Sequence, residues 1–436
     1  MLRPIGIDLF AGVGGLGLGF EQAGFDVCAA VEIDPVHCAV HQFNFPNCVV
    51  LPHSISTLSG RYIRRAAGLG ERQIDVVFGG PPCQGFSLIG QRALSDPRNS
   101  LVREFVRVVA ELRAHYFVFE NVKGLTVGKH RRFLDEVIEA FGKQGYRVRF
   151  PWKVLDAAMF GVPQHRERLI LLGARQGFPL PEYPEALYHP ADCGVRNGLP
   201  CGPTCAEAIG DLPDADDFDE LIESDEVEVG RWGSKGRYAR QMRCADAAAW
   251  HFGYKREWNS AILSSSLRTE HTDISRRRFL ATMPGETEPI SRFYKLAADG
   301  VCNTLRAGTD SSRGAFTSPR PIHYEYPRCV TVREMARLHG YPDWFRFHRT
   351  KWHGARQIGN SVPPPLARAV ASQVMVALGA TPARPEERLE LGDPALLGFD
   401  MSEASAYFRV KNPIARRNRK SGARKRNQLE IEFAAS

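Results

Sequence analysis

Ile5-Gly-Ile-Asp-Leu-Phe10, followed at once by Ala11-Gly-Val-Gly-Gly-Leu-Gly-Leu-Gly-Phe20, is the stretch on which the fold turns. A short apolar run breaks into glycines and resumes as a longer apolar segment. That pattern reads as a strand, a turn where backbone can approach a ligand closely, and a helix whose N–H groups point at the ligand. The next apolar run, residues 27–31, ends in Glu32-Ile33-Asp34. An acid closing a second strand, about 20 residues beyond the first glycine, is placed for a ribose hydroxyl pair. From the glycines alone, an ordinary βαβ unit would look the same. No Gly-Lys-Ser/Thr follows, so a phosphate-cradling P-loop is not supported.

Further along, Asp75-Val-Val-Phe-Gly-Gly-Pro-Pro-Cys-Gln-Gly-Phe-Ser87 carries another short strand into a Gly-Gly-Pro-Pro turn with a thiol, Cys83, at its far end. Prolines fix φ and glycines permit the bend, so the sulfur is held outside the carboxyl end of a strand, where open α/β sheets bind ligands. A lone cysteine there is equally well a packing residue. Leu101, Val102, Phe105, Val108, Val109 and Leu112 recur at helical spacing behind Ser100 as N-cap, and Tyr116-Phe-Val-Phe119 then runs as a buried strand into Glu120-Asn121-Val122. Gln164-His-Arg-Glu-Arg168 leads into Leu169-Ile-Leu-Leu172, which puts Gln164, Arg166 and Arg168 on one side if the run is extended. Separately, Glu120 reads as a capping carboxylate and the arginines as a solvated face. Jointly, a thiol, a carboxylate and an arginine pair at strand termini compose a candidate active site.

Taken in order, these residues resemble the motif set of the DNA (cytosine-5) methyltransferases that use S-adenosylmethionine. Asp8-Leu-Phe10-Ala11-Gly12-Val13-Gly14-Gly15 resembles the cofactor loop, Glu32 with Ile33 the ribose-binding acid, and Pro82-Cys83-Gln84 the nucleophile motif. Glu120-Asn121-Val122 resembles the acid motif, and Gln164, Arg166 and Arg168 the Gln-x-Arg-x-Arg motif. Arg333-Glu334 with Arg337-Leu-His-Gly-Tyr-Pro342 resembles the segment supporting the recognition domain, and Gln357-Ile-Gly-Asn360-Ser361-Val362 the last motif, which completes the cofactor site. One departure is Pro52-His-Ser54-Ile55, where Ser54 stands in place of the family's adenine-contacting aspartate. Thr304-Leu305 resembles a pair seen in recognition regions, and Gln84, Ser87, Gln164, Thr304 and Leu305 are expected to meet DNA.

The resemblance implies an α/β, doubly wound, Rossmann-like methyltransferase domain with a smaller inserted target-recognition domain. Residues 1–188 and 353–380 would form the catalytic and S-adenosylmethionine-binding domain, 189–352 the recognition domain, and 381–436 a basic, disordered tail. It also implies a reaction. Cytosine C5 is too weak a nucleophile to take a methyl group until a thiolate, Cys83, adds at C6. Glu120 is expected at N3 and the exocyclic amine, Arg168 at O2, and Arg166 beside Glu120 or a phosphate. Ring face and C6 are inaccessible in a stacked duplex, so the base must flip out.

Composition agrees with a nucleic-acid partner. The net charge is +8, and residues 409–436 hold Arg409, Lys411, Arg416, Arg417, Arg419, Lys420, Arg424, Lys425 and Arg426 against only Glu430 and Glu432. Residues 211–228 carry acids and no bases, a run expected to face away from DNA. No long apolar run marks a membrane span or signal core, and ten cysteines without a paired framework suit a reducing cytoplasm. For a DNA-methylating enzyme the expected state is a nucleoid-associated monomer. His189, Cys193, Cys201 and Cys205 match no common zinc spacing, so no metal is expected. The same core also serves transfer-RNA methylation, for which the insertion is long. A catalytically silent regulator, a solitary methylase and a restriction or defence partner are the remaining readings.

Overall fold

The computed structural model describes residues 3–82, 99–128, 130–194, 198–233, 236–308 and 319–412. Its centre is an eight-stranded sheet. Five strands are parallel: β1 (Ile5–Leu9), β2 (Asp26–Val31), β3 (Val49–Leu51), β4 (Val76–Gly79) and β5 (Tyr116–Val122). Three more, β6 (Tyr146–Val148), β7 (Lys153–Asp156) and β8 (Glu167–Arg175), complete the sheet, with β8 antiparallel to β5, β6 and β7. The order is β3-β2-β1-β4-β5-β8-β6, with β7 paired to β8. The order reverses between β1 and β4, so the crevice outside their carboxyl ends is the place where such sheets bind ligands.

Why both faces are covered is visible in β5. Phe117 and Phe119 pack with Phe105 and Val109 of the helix Ser100–Leu112 and Phe141 of the helix His130–Lys143, whereas Tyr116 and Val118 share the opposite core with Phe20 of α1 (Gly15–Ala23). Strand side chains alternate, so a run apolar at every position must be sandwiched. On the α1 face the helix Pro364–Ala377 returns from the far end of the chain. A Cβ at Gly19 would overlap the Ala367 methyl, which is why glycine stands where the two helices cross. The glycine-rich run thus serves helix packing as well as the ligand turn.

A third core joins helix α2 (Pro35–Asn44) to the 205–358 region through Phe43, Phe45, Leu338, Tyr341, Trp344 and Phe345. Buried arginines cross-brace it. Arg337, fully buried, bonds Asp211 at 3.0 Å and Asp343 at 2.5 Å, and Arg328 bonds Asp214 and Glu334. The acidic run of residues 211–228 is therefore not a free acidic face. Asp211, Asp214, Asp216 and Asp225 are counter-ions for Arg337, Arg328, Arg276 and Arg346.

The expected tail also differs at its start. Arg388–Glu390 is a strand paired in parallel with Lys255–Glu257, and Met401–Tyr407 is a helix opened by an Asp400/Glu403 capping box. Leu396 and Leu397 are buried, Gly392 donates its N–H to the Phe43 carbonyl, and Gln42 bonds the Tyr407 hydroxyl. Residues 388–407 are thus folded against α2 rather than disordered, and the basic residues from Arg416 onward lie outside the described residues. Among the described residues, no helix is long and apolar enough to cross a membrane, and no group of three or more His, Cys, Asp or Glu could hold a metal ion.

Candidate active site

The carboxyl ends of β1, β2 and β3 bring Asp8, Phe10, Gly12, Glu32 and Ser54 to one edge of the sheet. Phe10 leaves β1 at φ 60, a left-handed conformation that a bulky residue rarely adopts. Such strain persists where surroundings over-determine it, and it clusters at ligand sites. Gly12 (φ 54) and Gly14 (φ 95) continue the turn. The Gly12 N–H donates to Glu32 Oε2 at 2.9 Å, while Glu32 Oε1 accepts from the Ile33 and Asp34 amides, so the acid ties the loop to the end of β2. Ile33 itself is 55% exposed, an apolar face with nothing over it. Ala11 and Val13 are buried, which leaves them only backbone to offer.

Asp8 is 1% exposed, and neither carboxylate oxygen has a hydrogen-bond partner among the described residues. Burial, then the charge of Glu32, raises its pKa well above the usual carboxylate range, with the Gly17 amide pulling the other way. A buried carboxyl so weakly satisfied suits a donor or cation. Ser54 caps a short 3-10 turn through the Ser56 N–H. Ile55, expected to touch a ligand, is 2% exposed and faces the core, so only its backbone remains available. From the other end of the chain, Val362 is buried, Asn360 is exposed, and the Tyr341 hydroxyl abuts Gly15, where a Cβ would overlap it.

The second half of the edge belongs to β4, β5 and β8. Glu120 lies two residues before the end of β5, 9% exposed, and its Oε1 pairs with Arg168 Nε at 2.8 Å across the antiparallel β5–β8 pair. Gly80 lies against the same carboxylate, since a Cβ there would overlap Glu120 Oε2. Asn121 Nδ2 donates to the Pro81 carbonyl at 3.0 Å and fastens the Gly-Gly-Pro-Pro turn to β5. Pro82, exposed, is the last described residue of that turn; Cys83, Gln84 and Ser87 lie outside the described residues.

The alternate residues of the Gln-x-Arg-x-Arg segment share a side as expected, but their partners differ from the expected ones. Gln164 is fully buried: its Oε1 accepts from the Leu305 N–H, and its Nε2 donates to the Leu338 carbonyl and to His339 Nδ1 at 3.0 Å. Neither Gln164 nor Leu305, 2% exposed, presents a side chain to DNA, and that expectation is corrected. Thr304 is exposed, with its hydroxyl on the His165 carbonyl. Arg166 does not reach Glu120 by a hydrogen bond. It is 1% exposed and donates to the Leu305 and Gly359 carbonyls at 3.1 and 2.7 Å. Burial, then the charge of Arg168, pulls its pKa down to about 9, so it stays cationic near neutrality. Arg168, not Arg166, is the partner that orients Glu120.

Histidines that sequence reasoning passed over complete the frame. His41 Nδ1 donates to the Gly12 carbonyl, and His339 Nε2 donates to the Ser361 carbonyl while its Nδ1 accepts from Gln164. Burial lowers His41 to about 4 and His339 well below its usual range, with Arg166 adding to the latter effect. Burial also lowers His323 to about 4. The unfolded chain takes these protons near 6.5, whereas the folded chain refuses them until far lower pH. Their contribution is therefore complete above pH 6.5 and is lost as pH falls through about 4, by up to about 1.4 kcal/mol per histidine per pH unit. Denaturant midpoints should be flat between pH 7 and 8 and decline between pH 6.5 and 4; a flat profile down to pH 4 would contradict the neutral assignment.

A doubly wound sheet with a glycine-rich loop at its switch point and a carboxylate–arginine pair beside a Pro-Pro turn defines a Rossmann-like methyltransferase. Residues 5–375 match the family described as C-5 cytosine-specific DNA methylase. The Type II methyltransferase M.XorII of Xanthomonas oryzae pv. oryzae is 59% identical over 421 residues, covering 96% of each chain. M1.HphI of Haemophilus parahaemolyticus is 34% identical over 378 residues, 85% of this chain and 86% of that one. A crystal structure from E. coli, described as a DNA modification methyltransferase encoded within a prophage, superposes with TM-score 0.66 at 32% identity, covering 86% of this chain and 99% of that one. The chain belongs to the C-5 cytosine-specific DNA methylase family and is a DNA (cytosine-5-)-methyltransferase.

Proposed function

We propose that this enzyme transfers a methyl group from S-adenosylmethionine to C5 of a flipped-out cytosine within a specific duplex DNA sequence, through a transient Cys83 adduct. The observation that carries the reading is the Glu120–Arg168 pair, nine-tenths buried at the mouth of the turn that leads into Cys83. Glu120 bonds N3 and the exocyclic amine and Arg168 the O2 of the base, which withdraws charge from the ring and makes C6 open to the Cys83 thiolate. Electron density then reaches C5, which accepts the methyl group. Loss of the C5 proton and of the thiolate restores the ring and frees the enzyme.

The cofactor supplies an electrophilic methyl on a sulfonium. Residues at the β1–β4 crevice fit it: Asp8 answers a buried ammonium, Glu32 a ribose diol, Ile33 an apolar ring face, and the Phe10–Gly15 backbone lies alongside, with Ser54, Ile55, Pro82, Asn360, Ser361 and Val362 at the margins. Since Glu32 already accepts three amides, Glu32→Ala should both release the loop and remove the diol partner. We expect S-adenosylmethionine affinity to fall by about 1–3 kcal/mol. Calorimetry giving unchanged affinity would assign Glu32 to loop structure alone.

Residues 1–188 with 353–380 form the catalytic domain in this reading, and residues 189–352 the recognition domain, with duplex DNA between them. The relatives carry Type II names, which supports a modification role beside a cognate restriction enzyme. In this reading the enzyme works in the cytoplasm as a monomer. Bisulfite sequencing of DNA from cells expressing the chain tests the proposal. A single methylated sequence context is expected; unconverted transfer-RNA cytosines with unmodified DNA would favour the transfer-RNA reading instead.

A further inference from the structure

The 302–306 segment is bolted to the start of β8. Cys302 bridges Gln164 in parallel, His165 N–H donates to the Cys302 carbonyl, Thr304 to the His165 carbonyl, and Gln164 and Arg166 hold both backbone groups of Leu305. Two residues further along that strand is Arg168, about 7 Å away, or roughly two base-pair rises. Whatever this segment presents is therefore fixed relative to the Glu120–Arg168 pair. It borders a cavity of about 260 Å³, whose lining among the described residues includes Thr287, Arg292, Asn303, Thr304 and Arg306 and no acidic residue.

Two of these arginines differ from their neighbours. Arg268, Arg276, Arg278, Arg328 and Arg337 each meet a carboxylate. Arg292 and Arg306 are exposed, and neither has a carboxylate partner among the described residues. Arg292 also sits at φ 61, a left-handed conformation that a non-glycine residue rarely adopts. Its turn is locked by Glu288, 2% exposed, whose carbonyl accepts from the Arg292 N–H and whose carboxylate accepts from the Ser291 N–H and pairs with Arg278. A strained arginine, held by a buried acid at the rim of a groove in which no described residue is acidic, is built to present a guanidinium outward.

We propose that this groove reads the base pairs flanking the target cytosine, with Arg292 and Arg306 each selecting a guanine and Asn303 an adenine. The inference rests on the DNA-methylating reading above. A guanidinium fork matches O6 and N7 of guanine, and a carboxamide matches N6 and N7 of adenine, each along the major-groove edge. The experiment uses the full chain and the variants Arg292→Gly, Arg306→Ala and Asn303→Ala on a duplex library with randomised flanks, with methylated cytosines mapped by bisulfite conversion. Each variant should lose about tenfold or more of its discrimination at one flanking position, guanine for the arginines and adenine for Asn303, and keep it elsewhere. Glycine adopts the left-handed φ freely, so Arg292→Gly should melt no lower than the parent, which separates lost reading from lost folding. Unchanged preferences at every position would overturn the proposal. So would uniform weakening on all sequences with a salt slope flatter by about 0.9, the mark of a phosphate contact. If the parent chain methylates no duplex cytosine, the functional reading itself falls.

Discussion

Cys83→Ser should lower methyl transfer by about 10³-fold or more while S-adenosylmethionine binding and the melting temperature stay as in the parent. The reason is chemical. A hydroxyl near neutral pH is far less nucleophilic than a thiolate, and without addition at C6 the C5 atom has no electron pair to offer. Removing one member of a catalytic unit typically forfeits most of what the unit achieves. Binding is expected to be spared because the residues proposed for the cofactor, Asp8, Glu32 and the Phe10–Gly15 backbone, come from β1, β2 and the turn between them, whereas Cys83 follows β4 in the sequence. Residual turnover within tenfold of the parent would remove Cys83 from its role.

The second large effect is expected from a residue that touches no substrate. Gly80 sits so close to Glu120 that a Cβ there would overlap the carboxylate, and that carboxylate is held from the other side by Arg168 at 2.8 Å. Gly80→Ala must push Glu120 off its partner or bend the turn leading to Cys83. Displacements of about 1 Å in a positioned group lower rates by about 10²-fold. Glu120→Gln should fall by a comparable or larger factor, in the range of about 10² to 10⁴ for a group acting on a proton. Single-turnover rates on a saturating duplex report both. If Gly80→Ala turns over like the parent, the packing of Gly80 on Glu120 has no bearing on catalysis.

How much of this was legible in the chain follows from what each residue needed to meet. Strands ending in Asp8, Glu32 and Glu120 were readable because local apolar runs define them, and the glycine turn because Gly12 and Gly14 stand at positive φ. Alternation correctly put Gln164, Arg166 and Arg168 on one side. It could not say that Gln164 and Arg166 are braces, because Leu305, Leu338, His339 and Gly359 are brought to them only by tertiary folding. The acidic run reads as a face turned away from DNA for the same reason: its counter-ions Arg328 and Arg337 are more than 100 residues away. Residues 388–407 were missed although a local signal existed. Asp400-x-x-Glu403 is a capping box, and Leu396-Leu397 an apolar pair, but both were overshadowed by the basic composition that follows.

The account stands on covalent addition to cytosine by Cys83, oriented by Glu120 and Arg168. The direct measurement is to incubate the full chain with S-adenosylmethionine and a duplex containing its target sequence with 5-fluorocytosine at the methylated position. Fluorine cannot leave C5 as a proton does, so the thioether should persist through denaturing electrophoresis, and mass spectrometry should find the modified base on the peptide containing Cys83. Free protein and unmodified peptide, under conditions where the ordinary duplex is methylated, would contradict the mechanism.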